Sequence, residues 1–207
     1  MKRMRSLLFV PGDSDRKIAK AESIRADVVI FDLEDAVAPS RKAAARGRVR
    51  EYLEARAGDC PCGLWVRINA LDHPEAGADL GAVMPMRPDG IVLPKARSSA
   101  DVEALATRIG HYEAEHEIPI GSTRVLPVAS ETPASVFALG GYGDCGKRLA
   151  GLTWGAEDLA AAVGATSNRD ATGQWTEPYR LVRSLCLFGA HAAGVPAIDT
   201  LHADFRD

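Results

Sequence analysis

Six carboxylates stand where a divalent cation would find oxygen ligands: Asp32, Glu34 and Asp35 within four positions, Glu131, and the pair Glu157-Asp158. Each group follows a short apolar run, as do Arg67, Asn69 and Lys95. Carboxylates brought to one place raise one another's pKa unless positive charge sits among them. Arg67 and Lys95 supply part of that charge, and a divalent cation would supply the rest. With no His or Cys beside them, these oxygens suit a hard ion. Mg²⁺ takes one or two protein carboxylates and fills its other positions with water and substrate oxygens. Helix capping is the competing explanation for Asp13 and Asp158, both near expected helix starts. It does not account for three acids between Asp32 and Asp35.

Other residues fit an anionic substrate beside such an ion. Gly155-Ala156-Glu157-Asp158 opens an expected helix, and its small residues let a carboxylate approach the first backbone N–H groups. Arg67 carries a permanent charge and a fixed fork of donors, which suits an enolate or carboxylate oxygen; an Arg that bridges carboxylates structurally is the other reading. Arg16 and Lys17, opening the first expected helix, suit phosphate groups or equally a solvated helix face. The five histidines are scattered, and none is read as a ligand. Cys60-Pro61-Cys62 lacks the spacing and second ligand pair of a zinc site, so all four cysteines are read as reduced thiols.

The elements that must position these groups alternate along the chain. Strand-like runs fall at 6–10, 27–31, 64–68, 90–93, 124–129, 151–154 and 197–203. Most are continuous and β-branched, as parallel strands buried on both faces require. Helical stretches at 40–57, 99–117 and 178–194 lie between them, the last with Pro178 in its first turn and Gly194 at its end. Strict alternation of β and α predicts a parallel α/β fold. No G-x-G-x-x-G follows the first strand, which speaks against a dinucleotide fold. Ionisable residues at the C-terminal ends of successive strands describe instead the mouth of a TIM (β/α)₈ barrel.

The composition agrees with a single barrel domain over 1–207. Of 207 residues 46% are hydrophobic, enough for a sizeable core. The 25 basic and 28 acidic residues leave a net charge of -3, which offers nothing to nucleic acid or an anionic membrane. The apolar run Leu7–Val10 is too short for a signal peptide, no run reaches the roughly 18 residues of a membrane span, and a cytoplasmic location is expected. Seven strands are visible and an eighth βα unit of about 30 residues is not. The chain is then C-terminally truncated, or its barrel is open or closed by another subunit.

Taken together the motifs resemble those of the citrate lyase β-subunit and malyl-CoA lyase family, HpcH/HpaI aldolase-like proteins. The matching stretches are Phe9-Val10-Pro11-Gly12 with Arg16-Lys17, Asp32–Val37 with Pro39 and Lys42, and Val66-Arg67-Ile68-Asn69. Leu93-Pro94-Lys95, Glu131-Thr132-Pro133, Gly155–Leu159 and Gly194–Thr200 complete the set. The resemblance implies a (β/α)₈ barrel in which Glu131 and Asp158 bind Mg²⁺. It implies that Arg67, Glu131 and the amides of Gly155, Ala156 and Glu157 hold an oxo-acid such as oxaloacetate or pyruvate. Glu34 and Asp35 would order water at the metal, Arg16 and Lys17 would receive CoA, and the chain would form a homo-oligomer, a trimer or hexamer. The implied reaction splits a 3-hydroxyacyl-CoA of the citryl, citramalyl or malyl type into an oxo-acid and acetyl-CoA. A protein that binds Mg²⁺ and oxo-acid without turnover, or an aldolase on free hydroxy-oxo acids, remains as an alternative. The departure is at the end, where the family continues into an Ile-His-Pro segment and a C-terminal portion that this sequence lacks.

Overall fold

Parallel pairing begins with the first two strands and continues strand by strand. The computed structural model describes residues 3–21, 23–56 and 60–202. They divide into two compact units, one made of the chain up to Leu93 with Leu105–Val125, the other of Pro94–Ala104 with the chain from Leu126.

In the first unit, β1 (Leu7–Pro11), β2 (Val28–Asp32), β3 (Gly63–Arg67) and β4 (Gly90–Leu93) lie side by side in that order, each parallel to the last. β5 (Arg124–Pro127) joins the far edge at its start, where the Arg124 N–H donates to the Asp89 carbonyl at 3.1 Å. Every residue of β2 is buried, as its unbroken apolar run predicts. Helices α1 (Asp15–Ala21), α2 (Lys42–Ala55) and α3 (Ala76–Val83) connect these strands. α2 buries Lys42, Ala45, Val49 and Leu53, one stripe at helical spacing. Directly after β1 only glycine fits at position 12, because a Cβ there would come within 2.9 Å of both the Asp32 carbonyl and Val49. α4 (Ser99–Glu115) begins among the second unit's residues and ends in the first.

The second unit holds α5 (Pro133–Val136), β6 (Leu152–Thr153), α6 (Ala156–Ala162), α7 (Glu177–Ala192) and β7 (Ala197–Ile198). β6 and β7 pair in parallel, and Val128 bridges to Thr153. The expected strand at 197–203 is much shorter than its sequence suggests. Asp199 turns its carboxylate to the Trp154 indole at 2.8 Å and to Arg183, which ends the ladder after Ile198. Ala203, the last residue of that expected strand, and Ala57, the last of the expected helix 40–57, lie outside the described residues. Parallel α/β architecture is therefore present, and the described residues include a strand at each of the seven expected places. No described helix is long and apolar enough to cross a membrane.

Candidate functional site

The expected site residues form two groups, one in each unit. In the first, register decides the arrangement: Asp32 and Arg67 end β2 and β3 and are Cα partners. The guanidinium forks onto the carboxylate, Nε to Oδ1 at 2.8 Å and Nη2 to Oδ2 at 2.6 Å. Its Nη1 lies 3.2 Å from Glu34 Oε2, and its face lies over the Phe9 ring at 5.0 Å. Burial opposes the charge of Arg67, but the hydrogen bonds to Asp32 and the fields of Asp32, Glu34 and Asp35 outweigh it and raise its pKa.

Asp32 thus has a structural role, accepting also from the amides of Glu34 at 2.9 Å and Ala36 at 3.0 Å. The turn it organises is held from below by Lys42, a buried ammonium donating to the Leu33 and Glu34 carbonyls at 2.9 and 3.1 Å. Asn69 donates to the Leu33 carbonyl at 3.1 Å and is itself fixed by buried Asp79. These contacts explain why Lys42 and Asn69 belong to the motifs. Glu34 is buried beside Arg67, whereas Asp35 is exposed at the turn. Arg16 and Lys17 both lie on the exposed face of α1, and Asp13 pairs with Arg41 at 3.2 Å.

In the second unit Lys95 connects the two expected metal ligands. Its backbone N–H donates to Glu131 Oε2, and its Nζ lies 3.5 Å from Asp158 Oδ1. The backbone at Lys95 is left-handed, with φ 53°, a conformation that costs a non-glycine residue energy and turns its N–H toward Glu131. Glu131 is 3% exposed, and the following Thr132 caps α5 through a reciprocal pair with Ser135. Gly155 makes room for it: a Cβ there would stand 2.5 Å from Glu131 Cγ. Asp158 is in the first turn of α6, whose cap is Gly155 without a side-chain bond, so the carboxylate faces Lys95. Capping does not explain Asp158.

The amides of the expected cradle are partly engaged, since the Ala156 N–H points to Thr200 Oγ1 at 3.5 Å. Glu157 is exposed and accepts from Asn168 Nδ2 at 2.9 Å. Among the described residues no three His, Cys, Asp or Glu side chains gather as a ligand set. A metal that needs three or four protein ligands does not fit, whereas an ion content with two carboxylates and water does. The donor chemistry of Glu131 and Asp158 fits Mg²⁺. Lys95, which the sequence places directly after a strand as positive charge among the carboxylates, thus contacts both Glu131 and Asp158.

Comparison with known proteins agrees with the motifs. A "Citrate lyase subunit beta-like protein" of Mycobacterium tuberculosis is 37% identical over 201 residues, 97% of this chain and 65% of its own length. A "(3S)-malyl-CoA thioesterase" of Cereibacter sphaeroides is 31% identical over 203 residues, 98% of this chain and 65% of that protein. The chain therefore spans about 65% of the length of these curated relatives. A crystal structure of protein CitE from Mycobacterium tuberculosis, in complex with magnesium, acetoacetate and coenzyme A, superposes with a TM-score of 0.78 at 34% identity. It covers 99% of this chain and 69% of that one. The profile of HpcH/HpaI aldolase/citrate lyase proteins matches residues 5–207, and the chain belongs to that family.

Proposed function

We propose that this protein is a Mg²⁺-dependent carbon–carbon lyase that cleaves a 3-hydroxyacyl-CoA of the citryl, citramalyl or malyl type into an oxo-acid and acetyl-CoA. The observation that carries this reading is the approach of Glu131 and Asp158 to the same residue, Lys95, with Gly155 shaped around Glu131. Support comes from a relative bound to magnesium, acetoacetate and coenzyme A together.

Glu131 and Asp158 would hold Mg²⁺, which when bound supplies charge to lower the pKa of the substrate hydroxyl. Glu34 and Asp35 order the water that takes the proton from the 3-hydroxyl. The C2–C3 bond then breaks, the hydroxyl carbon becomes the carbonyl of the oxo-acid, and the electron pair passes to the thioester as an enolate. Arg67 donates to the enolate oxygen; its fork on Asp32 leaves further N–H groups among the five of a guanidinium. Protonation of the enolate carbon yields acetyl-CoA. The amides of Gly155, Ala156 and Glu157 receive the acid carboxylate, and Arg16 and Lys17 receive the phosphates of CoA. Closure as a (β/α)₈ barrel and assembly into a trimer or hexamer belong to the same reading.

The test measures oxo-acid and acetyl-CoA formed from each candidate thioester with Mg²⁺, for the wild type and for Glu131→Ala and Asp158→Ala. Both products should appear in equal amounts and fall by at least about a hundredfold in either variant. Release of CoA and intact hydroxy acid would mean thioester hydrolysis instead. Binding of Mg²⁺ and oxo-acid with no product would establish the binding protein without turnover. Cleavage of free hydroxy-oxo acids, indifferent to loss of Arg16 and Lys17, would mark an aldolase.

A further inference from the structure

Cys60-Pro61-Cys62 takes no part in the residues described above, and the structure gives it surroundings that its sequence does not announce. The segment joins α2 to β3 within the first unit, and the two sulfurs approach to 2.8 Å. Both thiols are partly exposed and line a cavity of about 710 Å³ that also receives Arg3, Arg25 and Arg56. Tyr52 forms part of its wall, with the Arg56 guanidinium 5.7 Å from the ring centroid. Asp27 is the one carboxylate among the described lining residues. It is already held by Arg5, through Nε at 2.8 Å and Nη2 at 2.9 Å. Among its described lining residues positive charge is therefore in excess, and the cavity's volume lies within the range of small-molecule sites.

No third ligand joins the two thiols among the described residues, so the pair does not make a metal site. Two thiols separated by one residue, with their sulfurs in contact, are able to close on each other. Nearby guanidinium groups attract a reagent that carries carboxylates.

We propose that Cys60 and Cys62 form a redox-active dithiol, oxidised by an anionic low-molecular-weight disulfide that enters this arginine-lined cavity. One thiol gives up its proton, and its sulfur attacks a sulfur of RS–SR; the S–S bond breaks and RS⁻ leaves. The second thiol gives up its proton and attacks the protein sulfur of the mixed disulfide, which forms the Cys60–Cys62 bond and expels a second RS⁻. The two protons end on the two RS⁻ groups. The protein loses two electrons and the small disulfide gains them, giving two RSH. The new ring stands immediately before Gly63, at the opposite end of β3 from Arg67.

Oxidised glutathione is the probe, applied to the fully reduced protein, with alkylation after acid quenching and mass analysis of the peptides. The wild type should lose both thiols together, in one peptide, and retain no glutathione. Cys60→Ser and Cys62→Ser should each retain one glutathione on the remaining cysteine. Arg25→Ala with Arg56→Ala should slow oxidation by oxidised glutathione about tenfold, yet leave the rate with neutral 2-hydroxyethyl disulfide unchanged; Arg25→Lys with Arg56→Lys should react as the wild type does. The proposal fails if the wild-type pair stays reduced or keeps a glutathione adduct. It fails equally if the alanine variants slow both reagents alike.

Discussion

The Arg67 guanidinium grips Asp32 with two hydrogen bonds, one to each carboxylate oxygen, and the two residues are register partners at the ends of neighbouring strands. Asp32 is 1% exposed at its side chain and Arg67 13%, so each charge depends on the other for its solvation. A residue that reads as an oxyanion donor is thus also a structural tie, and a change at either position carries both consequences.

Removing Asp32 alone leaves a buried guanidinium with Glu34 in place of its forked partner. Asp32→Ala should cost about 3–5 kcal/mol, the range for breaking a buried pair from one side. Asp32→Ala with Arg67→Met should cost less than Asp32→Ala alone, because the guanidinium that lost its forked partner is removed with it. Urea unfolding at neutral pH compares the two, and a double variant less stable than the single one would contradict the pairing.

Gly155→Ala should weaken Mg²⁺ binding without unfolding the protein. The added Cβ would stand 2.5 Å from Glu131 Cγ and must displace that side chain. A loss of roughly 10- to 100-fold in affinity is expected, the range for disturbing groups that orient a ligand. Titration calorimetry with Mg²⁺ measures it, with circular dichroism as the control for folding.

Lys95→Met should act in the opposite direction on the metal. The ammonium 3.5 Å from Asp158 competes with any cation for that carboxylate. Its loss should raise Mg²⁺ affinity several-fold, on the order of 1 kcal/mol for two partly exposed charges at this separation. The gain should shrink as salt is added. Unchanged affinity at low salt would show that Lys95 and the metal do not share Asp158.

Acid stability should report the Arg5–Asp27 pair. Hydrogen bonds from the Arg5 side chain and backbone, helped by the charges of Arg5 and Arg3, outweigh desolvation and lower the Asp27 pKa from 3.8 to about 2. The folded state then binds fewer protons than the unfolded chain between these values. The stabilisation is complete above the unfolded value and is lost as pH falls through about 2. Asp27→Asn should abolish that part of the pH dependence in urea unfolding followed from pH 5 to pH 2.

Thiol reactivity should divide the cysteines. Burial, with smaller effects of nearby acids, pushes Cys145 up to about 11 and Cys186 up to about 12. Neither should react with iodoacetamide in the native protein at pH 8, whereas the more exposed Cys60 and Cys62 should. Peptide mapping after a timed pulse separates the four.

Much of this protein was legible residue by residue. Continuous β-branched runs such as 28–31 announce a strand buried on both faces, because only a sheet covered on each side tolerates that pattern. Polar motifs directly after those runs announce the family and a chemistry of carboxylates, arginine and a hard cation. Tertiary structure decided the rest, because pairing across strands depends on register and local sequence carries no register. It set Asp32 against Arg67, which gave one of the clustered carboxylates a guanidinium for its partner. It drew Glu131 and Asp158 to one lysine, through a left-handed backbone at Lys95 that no propensity would choose. It also ended β7 at Ile198, where the carboxylate of Asp199 found the Trp154 indole and Arg183 in place of a longer ladder.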